Sequence, residues 1–361
     1  VRAAPPRPRG GSRRRPGRTP VSGRLALGSA ALAFVLPVPY ILEGPGPAID
    51  VLGEQDGTPV LTVEGGTADP GEGRLDMTTV LVSGPPGGTT GLGDLVTALA
   101  DGTVDVQPRE LVHPSGVSAD TVAQSNAAAM TDSQDVATAA ALRALGRDVP
   151  AHLAVHATVP GAPAEGILRE GDVILAAAGR SVTDMAGIRA AVDAAGPGDL
   201  ALTLRRDGTE RQVSVPVTAA DPATGRSWQL GVLLEQRFDL PVQVEFALED
   251  IGGPSAGMMF ALAVIERLTP GDMTGGARIA GTGTITADGV VGPIGGIPQK
   301  VQGAARDGAD VFLAPRENCA DLAGRVPAGM TVYAVDTLAT ARAVVEAVGR
   351  GERPDDVPTC S

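Results

Sequence analysis

Six residues, Gly252-Gly253-Pro254-Ser255-Ala256-Gly257, run straight into eight that carry no charge, Met258 to Ile265. A glycine-rich turn ahead of an unbroken apolar run predicts a loop that opens a helix, with one hydroxyl placed where the chain changes direction. A second glycine pair, in Gly295-Gly296-Ile297-Pro298-Gln299-Lys300, leads to an amine. Lys300 is the one lysine of the chain; every other member of the 29 Lys plus Arg is arginine. A guanidinium stays charged near neutral pH, whereas a buried lysine can lose its proton. A lone lysine beside Ile294, Ile297 and Val301 therefore points to a general base that activates Ser255. The competing reading is a surface lysine left over from a bias toward arginine.

Gly253-Pro254-Ser255-Ala256-Gly257 formally fits the G-x-S-x-G elbow of the α/β-hydrolases, which needs an acid and then a histidine later in the chain. The three histidines, His113, His152 and His156, all precede Ser255, so that order cannot be met. A triad with histidine first is allowed by order, but no motif surrounds any of the three. A Ser/Lys pair is chemically adequate in their place. Burial lowers the amine pKa toward neutrality. The glycines ahead of Ser255 let backbone N–H groups, those of Gly253 and Ser255, approach a reacting carbonyl, and a helix N-terminus adds positive potential. No cofactor is called for, and the two cysteines, Cys319 and Cys360, do not have metal-binding spacing. They are compatible with one disulfide in an oxidising compartment or with two thiols.

Charge is segregated. Residues 1–24 hold eight arginines and no acid, while the whole chain is at −13, so the body is strongly acidic. An acidic body argues against nucleic acid as the main partner. Leu25 to Leu42 is 18 residues without a charge, close to the ~20 needed to cross a bilayer. Its place after the arginines predicts a basic cytoplasmic tail at 1–24, a transmembrane helix at 25–43 and a body outside. A cleaved signal peptide and a buried helix are the alternatives. Aromatics make up only 2% of the chain, so its cores must be built from Ala, Val, Leu and Ile.

Strand composition marks residues 60–63 and 75–82, and a short helix is expected over 94–100. Two Ala-rich helices are expected at 119–130 and 133–145, broken at Thr131-Asp132-Ser133. From Ala151 the pattern changes. The run Pro163-Ala164-Glu165-Gly166-Ile167-Leu168-Arg169-Glu170-Gly171-Asp172-Val173-Ile174-Leu175, followed by a helix over 184–195 and strands over 200–205 and 211–217, resembles a PDZ domain. That resemblance implies binding of an extended peptide at a sheet edge. The usual carboxylate-binding loop is not evident, and Ala151 to Val155 is the nearest candidate. Residues 219–241 read as a polar connector. Strands over 242–248, 277–286, 310–313 and 331–335 then alternate with helices over 297–307 and 338–348, which predicts one layered unit.

Gly253-Pro254-Ser255-Ala256-Gly257, Thr282-Gly283-Thr284-Ile285 and Pro293-Ile294-Gly295-Gly296-Ile297-Pro298-Gln299-Lys300-Val301 together resemble the proteolytic domain of the Lon proteases. The resemblance implies Ser255 as nucleophile, Lys300 as general base and Thr282 as the partner that orients the lysine. Thr284 and Gln299 stand where that family has Glu, and Gly252 where it has Asp, which removes acids near the pair. Residues 73–84 resemble the family's opening strands, which would make the PDZ module an insertion. No G-x-x-x-x-G-K-[ST] motif is present, because Lys300 precedes Val301.

The expected fold is thus α+β. It has an N-terminal transmembrane helix, an N-terminal part of a Lon-like domain at 44–149, a PDZ domain at 150–220, a Lon-like catalytic domain at 221–348 and a flexible tail at 349–361. The expected function is an ATP-independent, membrane-anchored serine endopeptidase acting on flexible polypeptides. Its body would be extracytoplasmic, and a homo-oligomer is implied by the resemblance alone. The rival is a non-catalytic PDZ peptide-binding scaffold with a Lon-like fold.

Overall fold

The computed structural model describes residues 36–66, 71–85, 87–112, 118–220, 227–248 and 251–360. In chain order the strands used below are β1 (Pro37–Val38), β2 (Tyr40–Asp50), β3 (Leu61–Val63), β4 (Arg74–Ser83), β5 (Thr90–Gly91), β6 (Asp105–Pro108), β7 (Ala151–Thr158), β8 (Val173–Ala177), β9 (Asp199–Arg206), β10 (Thr209–Pro216), β11 (Val232–Phe238), β12 (Val244–Phe246), β13 (Arg278–Gly281), β14 (Thr284–Ile285), β15 (Val291–Gly292), β16 (Val311–Pro315) and β17 (Thr331–Val335). The helices used below are α1 (Leu92–Ala100), α2 (Ala119–Ala144), α3 (Met185–Ala195), α4 (Gly257–Leu268), α5 (Ile297–Arg306) and α6 (Leu338–Gly349). The described residues fall into two compact units, one within 36–43 and 82–118, the other within 44–81 and 119–360.

In the first unit β1 pairs antiparallel with β5, and residues 40–43 pair antiparallel with β6. Helix α1 starts directly after β5. Asp94 caps its first turn by accepting the Gly91 N–H at 2.9 Å. This unit corrects one expectation. Residues 37–43, assigned above to a transmembrane helix at 25–43, are strands. Pro37 and Pro39 each remove a backbone donor that a helix would need, and Ile41 is buried in the sheet. Among the described residues no helix is long and apolar enough to cross a membrane. Residues 25–35 lie outside them.

The second unit contains two sheets. The first has the order β10-β9-β8-β7-β11, with every neighbouring pair antiparallel. Along β9 the buried residues are Leu200, Leu202 and Leu204, the two-residue period of a strand with one face covered. They meet Leu153, Val155, Ile174 and α3 in one cluster. Asp184 starts α3 by accepting the Gly187 N–H at 2.7 Å. The buried Asp172 carboxylate is held by Arg206 at 2.7 and 2.6 Å. Residues 232–238, read above as part of a connector, form β11 and pair with β7 along its length. Alternation across Leu233–Phe238 is weak in sequence because the strand lies at an edge with one side open.

The second sheet has the order β17-β16-β13-β4-β2, and β17, β16, β13 and β4 run parallel. Its strands are buried on both faces. Ile279, Leu313, Tyr333 and Val335 face α4 and α6, while Ala280, Phe312, Ala314, Val332 and Ala334 face α5. Such a sheet must be covered by helices on both sides. Because β4 pairs with β13, the antiparallel sheet is an insertion between two strands of the parallel one.

Two further expectations fail here. Helix α2 is continuous across Thr131-Asp132-Ser133. The Thr131 hydroxyl donates back to the Ala127 carbonyl, and Ser133 is buried against another loop, so neither side chain caps a new helix. The tail at 349–361 is not loose over its last described residues. Ala334 N–H donates to Pro358 O, Cys360 N–H donates to Val332 O, and Cys360 forms a disulfide with Cys319. The open edge of β17 takes up this segment.

Candidate active site

Ser255 sits at the end of the glycine loop, directly before α4. The loop is pinned at its backbone. Ser255 O accepts from Gly283 N–H at 2.8 Å and from the Thr282 hydroxyl at 3.0 Å, and Met258 N–H returns a bond to Gly283 O at 3.1 Å. Gly283 follows Thr282 off the end of β13, so the strand that lies between β4 and β16 also carries the threonine. Lys300 projects from the first turn of α5. That helix starts at Gly296, whose φ of +68° is a conformation a side chain disfavours. A Cβ there would also lie 2.7 Å from Val80.

These elements bring the three predicted residues together. Lys300 Nζ lies 2.7 Å from Ser255 Oγ and 3.0 Å from Thr282 Oγ1. Thr282 is fully buried and Lys300 is 3% exposed. Burial lowers the lysine pKa to about 8. The hydrogen count is informative. The Thr282 hydroxyl spends its proton on Ser255 O, so toward Lys300 it can only accept. A neutral Lys300 amine then donates to Thr282 and keeps its lone pair for the Ser255 hydroxyl.

The pair opens onto a cavity of about 230 Å³, whose apolar walls include Ile49, Met77, Val80, Met130 and Ile251. Of the two backbone donors expected from sequence, Gly253 N–H is already engaged, donating to Asn126 O at 2.9 Å. Among the described residues Ser255 N–H has no such acceptor. The histidines stand elsewhere. His152 and His156 lie on β7 beside Asp239 and Glu235, and His113 is outside the described residues. Among the described residues there is no cluster of acids, histidines and cysteines suited to a metal ion.

Several residues that shape this site were not identified from sequence. From α2, Met130 lines the cavity, Ser133 donates to Pro254 O at 3.2 Å, and Asn126 O holds Gly253. Asn318 is buried and clamps the loop ahead of α5, accepting from Ile294 N–H at 2.9 Å and donating to Ile294 O at 3.0 Å. An Ala-rich helix more than a hundred residues upstream gives no sign of these contacts.

The antiparallel sheet offers a second concavity. A cleft of about 560 Å³ lies between α3 and β11, bordered by Ile188, Val192, Leu230, Val232 and Leu234. Strand β11 ends the sheet order, so one of its edges is open. Ala151 to Val155, the candidate carboxylate loop, lies instead in β7, flanked by β8 and β11. Gln229-Leu230-Gly231 at the start of β11 borders the cleft.

Residues 244–345 match the family model of the Lon protease (S16) C-terminal proteolytic domain, and residues 155–206 match that of the PDZ domain. The chain is 34% identical over 192 residues to Lon protease 1 of Sorangium cellulosum, a match covering 50% of this chain and 23% of that protein. It is 38% identical over 107 residues to the Lon protease of Campylobacter concisus, covering 28% and 13%. The chain thus spans less than a quarter of these relatives. A solved PDZ domain of an SdrC-like protein from Listeria monocytogenes aligns over 23% of this chain and 85% of its own, at 18% identity and a TM-score of 0.21. The chain carries a Lon-type proteolytic domain and a PDZ domain.

Proposed function

We propose that the chain is a serine endopeptidase that uses Ser255 as nucleophile and Lys300 as general base, without ATP, on flexible or unfolded polypeptides. The observation that carries this reading is the buried Lys300 amine lying 2.7 Å from the Ser255 hydroxyl. Ser255 Oγ attacks the peptide carbonyl as its proton moves to Lys300 Nζ. Thr282 holds the amine in line. The oxyanion forms beside Ser255 N–H and the N-terminus of α4, where dipole and donor both favour negative charge. Gly253 N–H is not an available donor while it remains bonded to Asn126 O. The protonated Lys300 then gives its proton to the leaving amine, and an acyl-enzyme remains. Lys300, neutral again, takes a proton from water in the second half of the reaction.

The apolar cavity beside the pair suits a neutral substrate side chain. The cleft between α3 and β11 suits an extended peptide added as a strand to β11, and it gives the enzyme a second hold on its substrate. Membrane attachment belongs to the same reading. The arginines of residues 1–24 and the uncharged Leu25–Leu36 support attachment to a membrane ahead of β1, with a shorter apolar segment than the ~20 residues of a full crossing. The Cys319–Cys360 disulfide suits an oxidising compartment. Cleavage of casein by the wild type, with loss of cleavage in both Ser255→Ala and Lys300→Arg, tests the chemistry. Equal turnover by Lys300→Arg contradicts it, since a guanidinium cannot accept the proton.

A further inference from the structure

Helix α1 carries an apolar stripe that the described residues cover only in part. Within nine residues Leu92, Leu95, Val96 and Leu99 recur at i, i+3, i+4 and i+7 and so share one side. The residue α1 buries is Ala98, while Leu99 is 71% exposed and Val96 50%. The helix termini are satisfied internally, by Asp94 on Gly91 N–H and by Asp101 N–H on the Thr97 and Ala98 carbonyls. The stripe is therefore not needed to cap or close the helix, and among the described residues nothing buries Val96 or Leu99.

What covers it follows from where α1 is tethered. Strand β5, just ahead of the helix, pairs with β1 in the register Pro37↔Gly91 and Val38↔Thr90. Directly before β1 stands Leu36, itself 56% exposed and part of the uncharged run Leu25–Leu42 that follows the arginine cluster. The first residue of α1 is thus one ladder position from the point where that run enters β1. Leu99 is only about 10 Å farther along the helix axis.

We infer that α1 lies on the surface of a lipid bilayer, its Leu92–Leu95–Val96–Leu99 stripe seated at the boundary of headgroups and acyl chains. This rests on the membrane-anchored reading. The helix has no lysine or arginine, and Asp94 faces its own backbone. The contact is therefore apolar and does not need anionic lipid.

The test uses the full chain with Trp228→Phe, which removes the native tryptophan, and a reporter at Leu99→Trp or, on the opposite side of α1, Thr97→Trp. Each is reconstituted into phosphatidylcholine vesicles and floated. Acyl-brominated phosphatidylcholine is expected to reduce the emission of the position 99 reporter at least about twofold and to spare position 97. Adding phosphatidylglycerol is expected to change neither. Flotation without quenching at position 99 overturns the seating of α1 and leaves the anchor standing. Failure to float overturns the anchor and this inference with it. Equal quenching at both positions overturns the assigned face. Absence of quenching together with disulfide cross-linking of copies carrying Leu99→Cys shows that a second copy covers the stripe, which also overturns it.

Discussion

The antiparallel sheet draws all its strands from residues 151–238, so its cleft is made by chain segments that follow one another. The parallel sheet takes β2 and β4 from before that insertion and β13, β16 and β17 from after it. Its site adds a wall from α2 and a clamp from Asn318. A contiguous module can tolerate changes elsewhere. A site assembled across some 200 residues depends on contacts far from its chemistry. The difference teaches where substitutions should act: those in the parallel sheet should reach the Ser255–Lys300 pair, and those in the cleft should not.

The largest expected separation comes from Ser255→Ala. Turnover should fall by at least about 10³-fold, while affinity of the cleft for an extended peptide, read by calorimetry, stays within about twofold. A matching loss of peptide affinity would mean that the two regions are not separable. Next is removal of the disulfide. Cys319→Ser/Cys360→Ser opens a loop with a sequence separation of 41, and about 4 kcal/mol of stability should be lost. Hydrogen exchange should accelerate in β17 and stay unchanged in β7 and β8. Smaller is the effect of Leu233→Asp on the open strand of the cleft, where Leu233 is 55% exposed. It should weaken peptide binding about tenfold, near 1.4 kcal/mol, and leave cleavage of a short peptide untouched. The smallest effect is that of Asn318→Ala, which leaves Ile294 N–H and C=O without their partner in a half-buried place, at a cost of about 1 kcal/mol. Its signature is a lower kcat at unchanged KM for a short peptide, partly restored by Asn318→Asp, which can still accept from Ile294 N–H.

The same contrast explains what could be read from sequence. The PDZ run Pro163–Leu175 and the Ser255, Thr282 and Lys300 motifs are short stretches whose meaning is local, and the three motif residues do meet. Lys300 stood out because arginine replaces lysine everywhere else. What escaped is non-local. Thr131-Asp132-Ser133 has the composition of a helix break, but Ser133 finds Pro254 across 121 positions and the helix runs on. The tail has loop composition until β17 offers it an edge. Leu25–Leu42 looks like one span until Ile41 is taken into a sheet. Gly253 has the freedom of an oxyanion donor, yet its N–H is taken by a carbonyl on α2.

The central claim is that a lysine made neutral by burial takes the serine proton. Its most direct measurement is the pH dependence of kcat/KM on a short peptide between pH 6 and 10. The Lys300 pKa is lowered to about 8, and in the proposed mechanism the neutral amine is the active form. The rate should therefore rise about tenfold per pH unit, bend near pH 8 and hold level above it. A profile flat from pH 6 to 9, or one with its inflection at the ordinary histidine value near 6.5, would contradict the account.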